Sequence, residues 1–436
     1  MTIYSPTITN RLKYIADLIG KEIMGRPFEL TDDADKYRQA TGAKLNYSDR
    51  VIGEDELHLF PHPLLFEKDI KEQATDCFET NGYKAFFKTG GDHPFDIFAA
   101  SFYLVSRYEE YLPHTKDLYV RYAHENSLAF KEDFLNLPLV NIWINDFAQR
   151  LKQKFPSFTV HRSPFTFLPT YDIDEAYSYK YKSWWRRTGA SFKDLLTAGM
   201  EKVRLRKKVR KNEAIDPFDS YDWMDVLHQA QPVKPRYFFL VPEKTSKFDR
   251  NILPTEAAMR SLIERHAEKY TIGVHPSWQS GDDVSLLKKE IETIERISGT
   301  KIHSSRQHFI RFTLPETFRQ LIDAGIREDF SMGYGTVNGF RASIASPFYW
   351  YDIEKDEPTS LLLYPFCYME ANSFYEQKLT PWQALHEMTH YYNEVRKVNG
   401  TFISIWHNTF LGTDEKFKGW REVYAGFFKE VTANMV

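Results

Sequence analysis

The segment FTFLPTYDID, residues 165–174, carries a largely apolar stretch into two aspartates, Asp172 and Asp174. On an extended chain, residues two apart project from the same face, so the two carboxylates lie together at the end of one strand. Two like charges this close require a compensating cation, either a metal ion or an arginine. The segment therefore predicts a strand that ends in a cation site, although a strand end with a helix-capping aspartate is the simpler interpretation.

Strand-like and helical segments alternate after this strand. The strand-like segments are RYFFLVP, YTIGVHPS, IHSSRQHF, SLLLYPFCYM and GTFISIWHNT. Between them, DVSLLKKEIETIERISG repeats apolar residues at helical spacing, from Val284 to Ile297. Such alternation implies parallel strands, and five or more units favour a closed or nearly closed barrel.

Polar residues follow several of these strands. His275 ends the third, Arg306 and His308 end the fourth, and His407 ends the last. Barrel enzymes place their chemistry at the carboxyl ends of strands. A divalent ion bound by one carboxylate and two imidazoles, with positions open to water, is a common hydrolytic arrangement. Such an ion lowers the pKa of bound water to about 7, and the second aspartate is then free to act as a general base.

A chain of 436 residues is long enough for two domains. We predict a smaller α/β domain over residues 1–160, with a helix at HPFDIFAASFYLVSRYEEYL, and the barrel over residues 161–436. A basic insertion near residues 186–215 includes KVRLRKKVRK, with seven basic residues in ten. It is either a phosphate-binding patch or, as we favour, a solvated amphipathic insertion whose Val203, Leu205 and Val209 pack inward. No aromatic residues interleave its charges as a single-stranded nucleic-acid site requires.

Composition excludes several classes of protein. The net charge of −3 gives no general attraction to nucleic acid or to anionic membranes. Two cysteines cannot form a disulfide framework or a thiolate metal cluster. The first twenty residues lack the uninterrupted apolar core of a signal peptide, and no apolar run is long enough to span a bilayer. We expect a cytoplasmic protein that binds no nucleic acid and does not span a membrane.

Five motifs carry a family resemblance. TYDID, VHPSW, SRQHF, EDFSMGY and IWHN, in this order, resemble the motifs of the NodB-homology polysaccharide deacetylases, a carbohydrate esterase family. The chain is most similar to a divergent bacterial branch with an added N-terminal domain, which FYLVSRYEEYL also resembles. The resemblance implies a distorted (β/α) barrel preceded by a smaller α/β domain. It also implies a metal-dependent hydrolase that removes an acetyl group from an N- or O-acetylated sugar or glycan precursor.

The resemblance implies four catalytic roles. Asp172 matches the general base, and Arg306 matches the arginine that orients this base and keeps it ionised. His407 matches the general acid, and Asp329 in EDFSMGY matches the carboxylate that sets up this histidine. The family's usual adjacent pair of aspartates is here split by Ile173.

The metal ligands depart from the family pattern at one position. Asp174 and His275 match two ligands, but Gln279 stands where the family has a second histidine. His308 lies two residues after Arg306 and can supply the missing imidazole, whereas His303 begins the same strand and should face the opposite rim. We therefore expect one divalent ion, with zinc as the first candidate, bound by Asp174, His275 and His308.

Three aromatic residues near the predicted mouth are candidates for stacking on sugar faces, namely Trp278, Tyr334 and Trp406, with core packing as the alternative. The expected substrate is an acetylated sugar or glycan precursor, such as a nucleotide- or lipid-linked sugar. Two alternatives remain open at this point. The same fold and metal can hydrolyse another non-peptide C–N bond, in a linear or cyclic amide, or the chain can be a non-catalytic carbohydrate-binding protein.

Overall fold

The computed structural model describes residues 1–181, 199–229, 231 and 233–433. Its strands, in chain order, are β1 Thr2–Tyr4, β2 Glu29–Thr31, β3 Lys44–Asn46, β4 Leu57–His58, β5 Phe78–Thr80, β6 Tyr83–Ala85, β7 Thr166–Ile173, β8 Arg236–Phe239, β9 Thr271–Val274, β10 Ser304–Ser305, β11 Glu328–Asp329, β12 Phe348–Asp352, β13 Glu357–Leu363, β14 Tyr368–Met369 and β15 Thr401–His407. The α-helices are Asn10–Asp17, Ala34–Gln39, Ile97–Val105, Leu128–Lys131, Leu139–Lys154, Gly199–Arg210, Tyr221–Gln229, Ala257–Lys269, Val284–Ser298, Glu316–Asp323, Pro381–Lys397 and Trp420–Ala433.

One nine-stranded sheet dominates the second half of the chain, in the order β12-β13-β11-β10-β9-β8-β7-β15-β14. All neighbours in it are parallel except β12 and β13, as the βα alternation predicts. Among the described residues, the end strands β12 and β14 do not pair with each other. The strand pairing of the described residues therefore forms a mixed sheet without hydrogen-bonded closure.

The register of this sheet brings the carboxyl ends of its strands to one edge. His407 on β15 pairs with Asp172 on β7, and Val274 at the end of β9 pairs with Ser305 on β10. Along β7 the side chains alternate. Asp172 faces the site, whereas the Tyr171 hydroxyl lies 2.7 Å from His228 Nε2 on the opposite face.

The N-terminal region, residues 1–160, contains a parallel sheet in the order β2-β1-β3-β4 and the antiparallel pair β5–β6. The helix predicted at HPFDIFAASFYLVSRYEEYL is shorter than expected and ends at Val105. It stops there because Arg107 adopts a left-handed conformation, with φ 56°, and a short 3-10 turn follows at Tyr108–Tyr111. Glu109 and Glu110 in this turn are buried.

The basic insertion is described from residue 199 onward. Its helix, Gly199–Arg210, buries Val209 and half-buries Val203 and Leu205, as expected for an amphipathic segment. The part of the predicted insertion before residue 199 lies outside the described residues. Within the described part of the chain, no helix is both long and apolar enough to cross a membrane.

Candidate metal and catalytic site

Asp174, His275 and His308 lie together at the carboxyl edge of the large sheet. One ligand atom from each of them lies within 4.8 Å of the others. His275 Nε2 is 3.1 Å from Asp174 Oδ1, and His308 Nε2 is 3.5 Å from Asp174 Oδ2. Asp174 Oδ1 is buried and makes no hydrogen bond within the described part of the chain. A carboxylate and two imidazoles that converge in this way are a donor set suited to zinc or another borderline divalent ion.

The far nitrogens of both imidazoles are held by other groups. His275 Nδ1 lies 2.5 Å from the carbonyl oxygen of Arg306, to which it donates. His308 Nδ1 lies 3.2 Å from Asp249 Oδ1, where the carboxylate accepts. These partners leave the Nε2 lone pair of each ring directed at the common centre, as in most protein metal sites. The residues present therefore fit a metal ion.

The charges in this cluster favour a cation at its centre. Burial opposes ionisation of Asp174, but the imidazoles of His308, His407 and His275 hold the pKa of Asp174 well below its ordinary value. Burial also disfavours a charged His308, yet Asp174 and Asp249 raise the pKa of His308 to about 9. A carboxylate that stabilises the protonated form of neighbouring imidazoles is equally suited to a bound metal ion.

His308 reaches the site from a turn and not from the strand itself, which corrects the parity argument made from sequence. β10 ends at Ser305, and residues His308–Ile310 form a tight turn in which Phe309 has φ 59°. His303 is exposed, and its carbonyl oxygen accepts hydrogen bonds from the next strand. Gln279, at the position of the missing histidine, donates to Asp249 Oδ2 at 3.4 Å and so lies behind His308.

Asp172 is paired with Arg306 beside the metal-ligand cluster. Arg306 Nη1 donates to Asp172 Oδ1 at 2.7 Å, and Arg306 Nη2 donates to Thr170 Oγ1 at 2.7 Å. Both charged side chains are buried, and the guanidinium lies 4.5 Å from the ring centre of Phe238. This geometry holds one oxygen of Asp172 in place and compensates its charge.

Glu370, and not Asp329, contacts the ring of His407. Glu370 Oε1 accepts from His407 Nδ1 at 2.7 Å and also from the His407 backbone N–H. Burial opposes a charge on His407, but Glu370 and Asp174 raise its pKa well above the ordinary value.

Asp329 instead accepts hydrogen bonds from Ser305 Oγ and from the Ser331 backbone N–H, both at 2.8 Å, so the predicted contact between Asp329 and His407 does not form. Burial raises the pKa of Asp329 to about 6.

Sequence reasoning missed two carboxylates of the site. Glu370 directly follows β14, so the strand-end rule that selected His275 and His407 also applies to it. Asp249 lies in the long loop after β8, ten residues beyond the end of that strand. No periodic signal marks such a loop position, because only tertiary contacts bring it to His308.

The three residues predicted to stack on sugars differ in burial. Trp406 is fully buried with its ring centre 4.3 Å from that of Tyr424, so it cannot present a face to a sugar. Tyr334 is also buried, and its hydroxyl accepts a hydrogen bond from Arg107 in the N-terminal region. Both predictions are corrected: strand alternation turns Trp406 away from the site, and packing against the N-terminal region buries Tyr334. Trp278 is half-buried and stacks on Phe248.

A cavity of about 770 Å³ lies over this edge of the sheet. Its lining includes the predicted base, the metal-ligand cluster and the predicted acid, namely Asp172, Asp174, His275, His308 and His407. Their convergence in one cleft is the arrangement expected for a hydrolytic site.

Comparisons with known proteins give a family match for the N-terminal region alone. A family of unknown function, DUF7033, matches residues 1–156. A search of the curated proteins found no match. Similar solved structures include a protein named as a polysaccharide deacetylase from Mycobacterium smegmatis, at 16% identity and TM-score 0.41, covering 62% of this chain and 87% of that one. A polysaccharide deacetylase from Bacillus cereus is similar at 11% identity and TM-score 0.31, covering 61% and 88%. An allantoinase is similar at 11% identity and TM-score 0.38, covering 62% and 84%.

Proposed function

We propose that this chain is a metal-dependent hydrolase that removes an acetyl group from an N- or O-acetylated sugar. The observation that carries the proposal is the placement of the Asp172–Arg306 pair and the His407–Glu370 pair around the cluster of Asp174, His275 and His308. Acyl hydrolysis needs a base for water, an acid for the leaving group and a counter-charge for the oxyanion.

Asp172 has the properties of the general base. Its Oδ1 is held by Arg306, and Oδ2 lies 3.9 Å from His275 Nε2, beside the metal-ligand cluster. Because Asp172 also lines the cavity, a water molecule there can give its proton to this carboxylate as it attacks the acetyl carbon. Arg306 compensates the charge of this carboxylate and fixes the position of its Oδ1.

His407 has the properties of the general acid. Its Nδ1 is held by Glu370, so the Nε2 side of the ring is directed into the cavity, 3.4 Å from Asp174 Oδ2. The glutamate favours the protonated ring, which can then give a proton to the leaving amine or alcohol.

The remaining chemistry belongs to the ion that Asp174, His275 and His308 would hold, with zinc proposed. When bound, a divalent ion supplies Lewis-acid polarisation of the acetyl carbonyl and stabilises the negative charge that develops on its oxygen.

Acetate release tests this function directly. Purified protein would be incubated with a panel of N- and O-acetylated mono- and oligosaccharides, and free acetate would be measured by an enzyme-coupled assay. We expect acetate from at least one sugar, with loss of the signal in a chelator. Ring opening of a cyclic amide, or release of ammonia or an amine from a linear amide, without acetate release would favour hydrolysis of another C–N bond. Sugar binding without turnover would favour a non-catalytic protein.

A further inference from the structure

A loop of the N-terminal region enters the catalytic cavity. Residues 113–127, here called the N-terminal loop, lie beside the turn that carries His308. Tyr119 and Arg121 of this loop line the same cavity as Asp172 and Asp174. The Tyr119 ring stacks on that of Phe309, with ring centres 5.1 Å apart, and Phe309 directly follows His308. One wall of the site therefore comes from the region that precedes the large sheet.

Two nitrogens of the Arg121 guanidinium make hydrogen bonds in this wall, and the third makes none within the described part of the chain. Arg121 is only 4% exposed, and its Nε donates to Asp117 Oδ2 at 2.7 Å. Its Nη1 donates to the carbonyl oxygen of Phe309 at 2.5 Å. Its Nη2 is buried and has no hydrogen-bond partner in the described part of the chain. A buried N–H group without an acceptor is costly, and Arg121 lines the cavity, so the unused donor is suited to an oxygen of a bound ligand.

The cavity wall is shaped around this side chain. A Cβ atom at Gly335 would lie 1.9 Å from Arg121 Nη1, so only glycine leaves room for the guanidinium there. On the other side, the guanidinium carbon lies 4.8 Å from the ring centre of Tyr119. Tyr119 is thus a positioning residue for Arg121.

Buried ion pairs fix the start of the N-terminal loop to the rest of the chain. Glu110 accepts from Arg341 Nη2 at 2.6 Å and from Arg107 Nε at 2.7 Å. Near the other end of the loop, His124 Nδ1 lies 3.0 Å from Thr336 Oγ1, next to Gly335. Contacts at both ends hold Arg121 at a defined place in the cavity, as a recognition residue requires.

We infer that the N-terminal region completes the substrate site, with Arg121 Nη2 donating a hydrogen bond to an oxygen of the sugar beyond the acetyl group. Asp117 already balances the charge of Arg121, so a neutral hydroxyl or ring oxygen is the acceptor that suits the site. This inference rests on the proposed function and adds to it the contact that recognises the sugar part of the substrate.

The test compares two substrates in the full-length, metal-loaded protein. One is the acetylated sugar that gives the most acetate in the screen above, and the other is 4-nitrophenyl acetate, which has an acetyl group but no sugar. Arg121→Lys keeps the charge and loses the planar donor group. We expect KM for the sugar to rise at least about tenfold, in line with loss of one hydrogen bond from a charged donor. In Arg121→Lys we expect kcat/KM for 4-nitrophenyl acetate and the amount of bound metal to stay within about twofold of the wild type. Lys116→Ala, an exposed change in the same loop, should leave the kinetic constants for both substrates unchanged.

Each other outcome has a defined meaning. If wild type releases no acetate from any sugar, the proposed function fails and the inference falls with it. If wild type acts on the sugar but Arg121→Lys leaves its KM unchanged, or lowers activity on both substrates equally, the inference alone is refuted. Should the variant not fold, hydrogen exchange in metal-loaded Asp172→Asn, which keeps the metal but lacks the proposed base, provides the test. We expect added sugar to slow exchange in residues 113–127, and no slowing there would overturn the inference.

Discussion

The site has two walls of different origin. Asp172, His275 and His407 follow or end parallel strands, and the register of the large sheet fixes their relative positions. His308 and Arg121 lie in a turn and a loop, held by contacts with Asp249 and Asp117. In the proposed mechanism the strand wall carries the acid–base residues, and the loop wall carries one proposed metal ligand and the proposed sugar contact. The proposed acid and base are thus placed by the register of the sheet, whereas His308 and Arg121 are placed by long-range packing.

The largest effect is expected on the strand wall, from Asp172→Asn. An amide keeps the shape and the contact with Arg306 but cannot accept a proton from water at neutral pH. We expect kcat to fall by about 10²–10⁴-fold, the range for loss of one acid–base group. Bound metal should be unchanged by elemental analysis, and the exposed change Asp323→Asn should leave both quantities unaltered. Full activity of Asp172→Asn would mean that the base lies elsewhere.

The next prediction concerns the loop wall and compares metal binding in two variants, one at His308 and one at His303. His308→Ala removes a proposed ligand, so we expect the metal dissociation constant to rise by about 10²-fold or more. Loss of a residue that only supports a ligand typically raises it by about 10–100-fold. His303→Ala should leave it within about twofold of the wild type, because His303 is exposed on the opposite rim. Competition with a chromophoric chelator measures both constants. Equal effects of the two changes would refute the assignment of His308.

The buried ion pairs of Glu110 with Arg341 and Arg107, here called the anchor, should stabilise the folded protein. Glu110→Gln leaves Arg341 buried without its carboxylate, so we expect the unfolding free energy to fall by about 3 kcal/mol. Burial opposes ionisation of Glu110, but Arg341 and Arg107 lower its pKa to about 2. Since the unfolded value is about 4.3, the contribution is present above that pH and is lost as pH falls toward 2. Urea titrations should show the wild type and variant converging on acidification. Glu125→Gln is the exposed control, and a variant as stable as wild type at pH 7 would contradict this account of the anchor.

The smallest effect concerns which carboxylate assists His407. Glu370→Gln keeps a hydrogen bond to the ring but weakens its protonated form, so we expect kcat to fall by about 10–100-fold, at or below the range for loss of a whole general acid. Asp329→Asn should have a smaller effect, because Asp329 bonds Ser305 and Ser331 instead. Steady-state kinetics with metal content as a control decides between them. A larger loss in Asp329→Asn would restore the role implied by the family resemblance.

The strand wall could be predicted from sequence because it follows local rules. The alternation in TYDID places Asp172 and Asp174 on one face, and βα order places His275 and His407 at the same edge. The same rule selects Glu370, which directly follows β14, whereas the family motif points to Asp329. Asp249 and Arg121 could not be predicted, since they reach the site only through loop contacts with His308 and Phe309. The stacking predictions for Trp406 and Tyr334 are wrong because proximity to a motif in sequence does not show which way a ring points.

In the proposed function, hydrolysis depends on one divalent ion held by Asp174, His275 and His308. The most direct measurement is acetate release by protein stripped with a chelator and then titrated with zinc, with bound metal counted in the same samples. We expect no activity in stripped protein, full recovery at one ion per chain, and no recovery in Asp174→Ala. Full activity in the metal-free wild type, or full recovery of Asp174→Ala with stoichiometric zinc, would contradict this proposal.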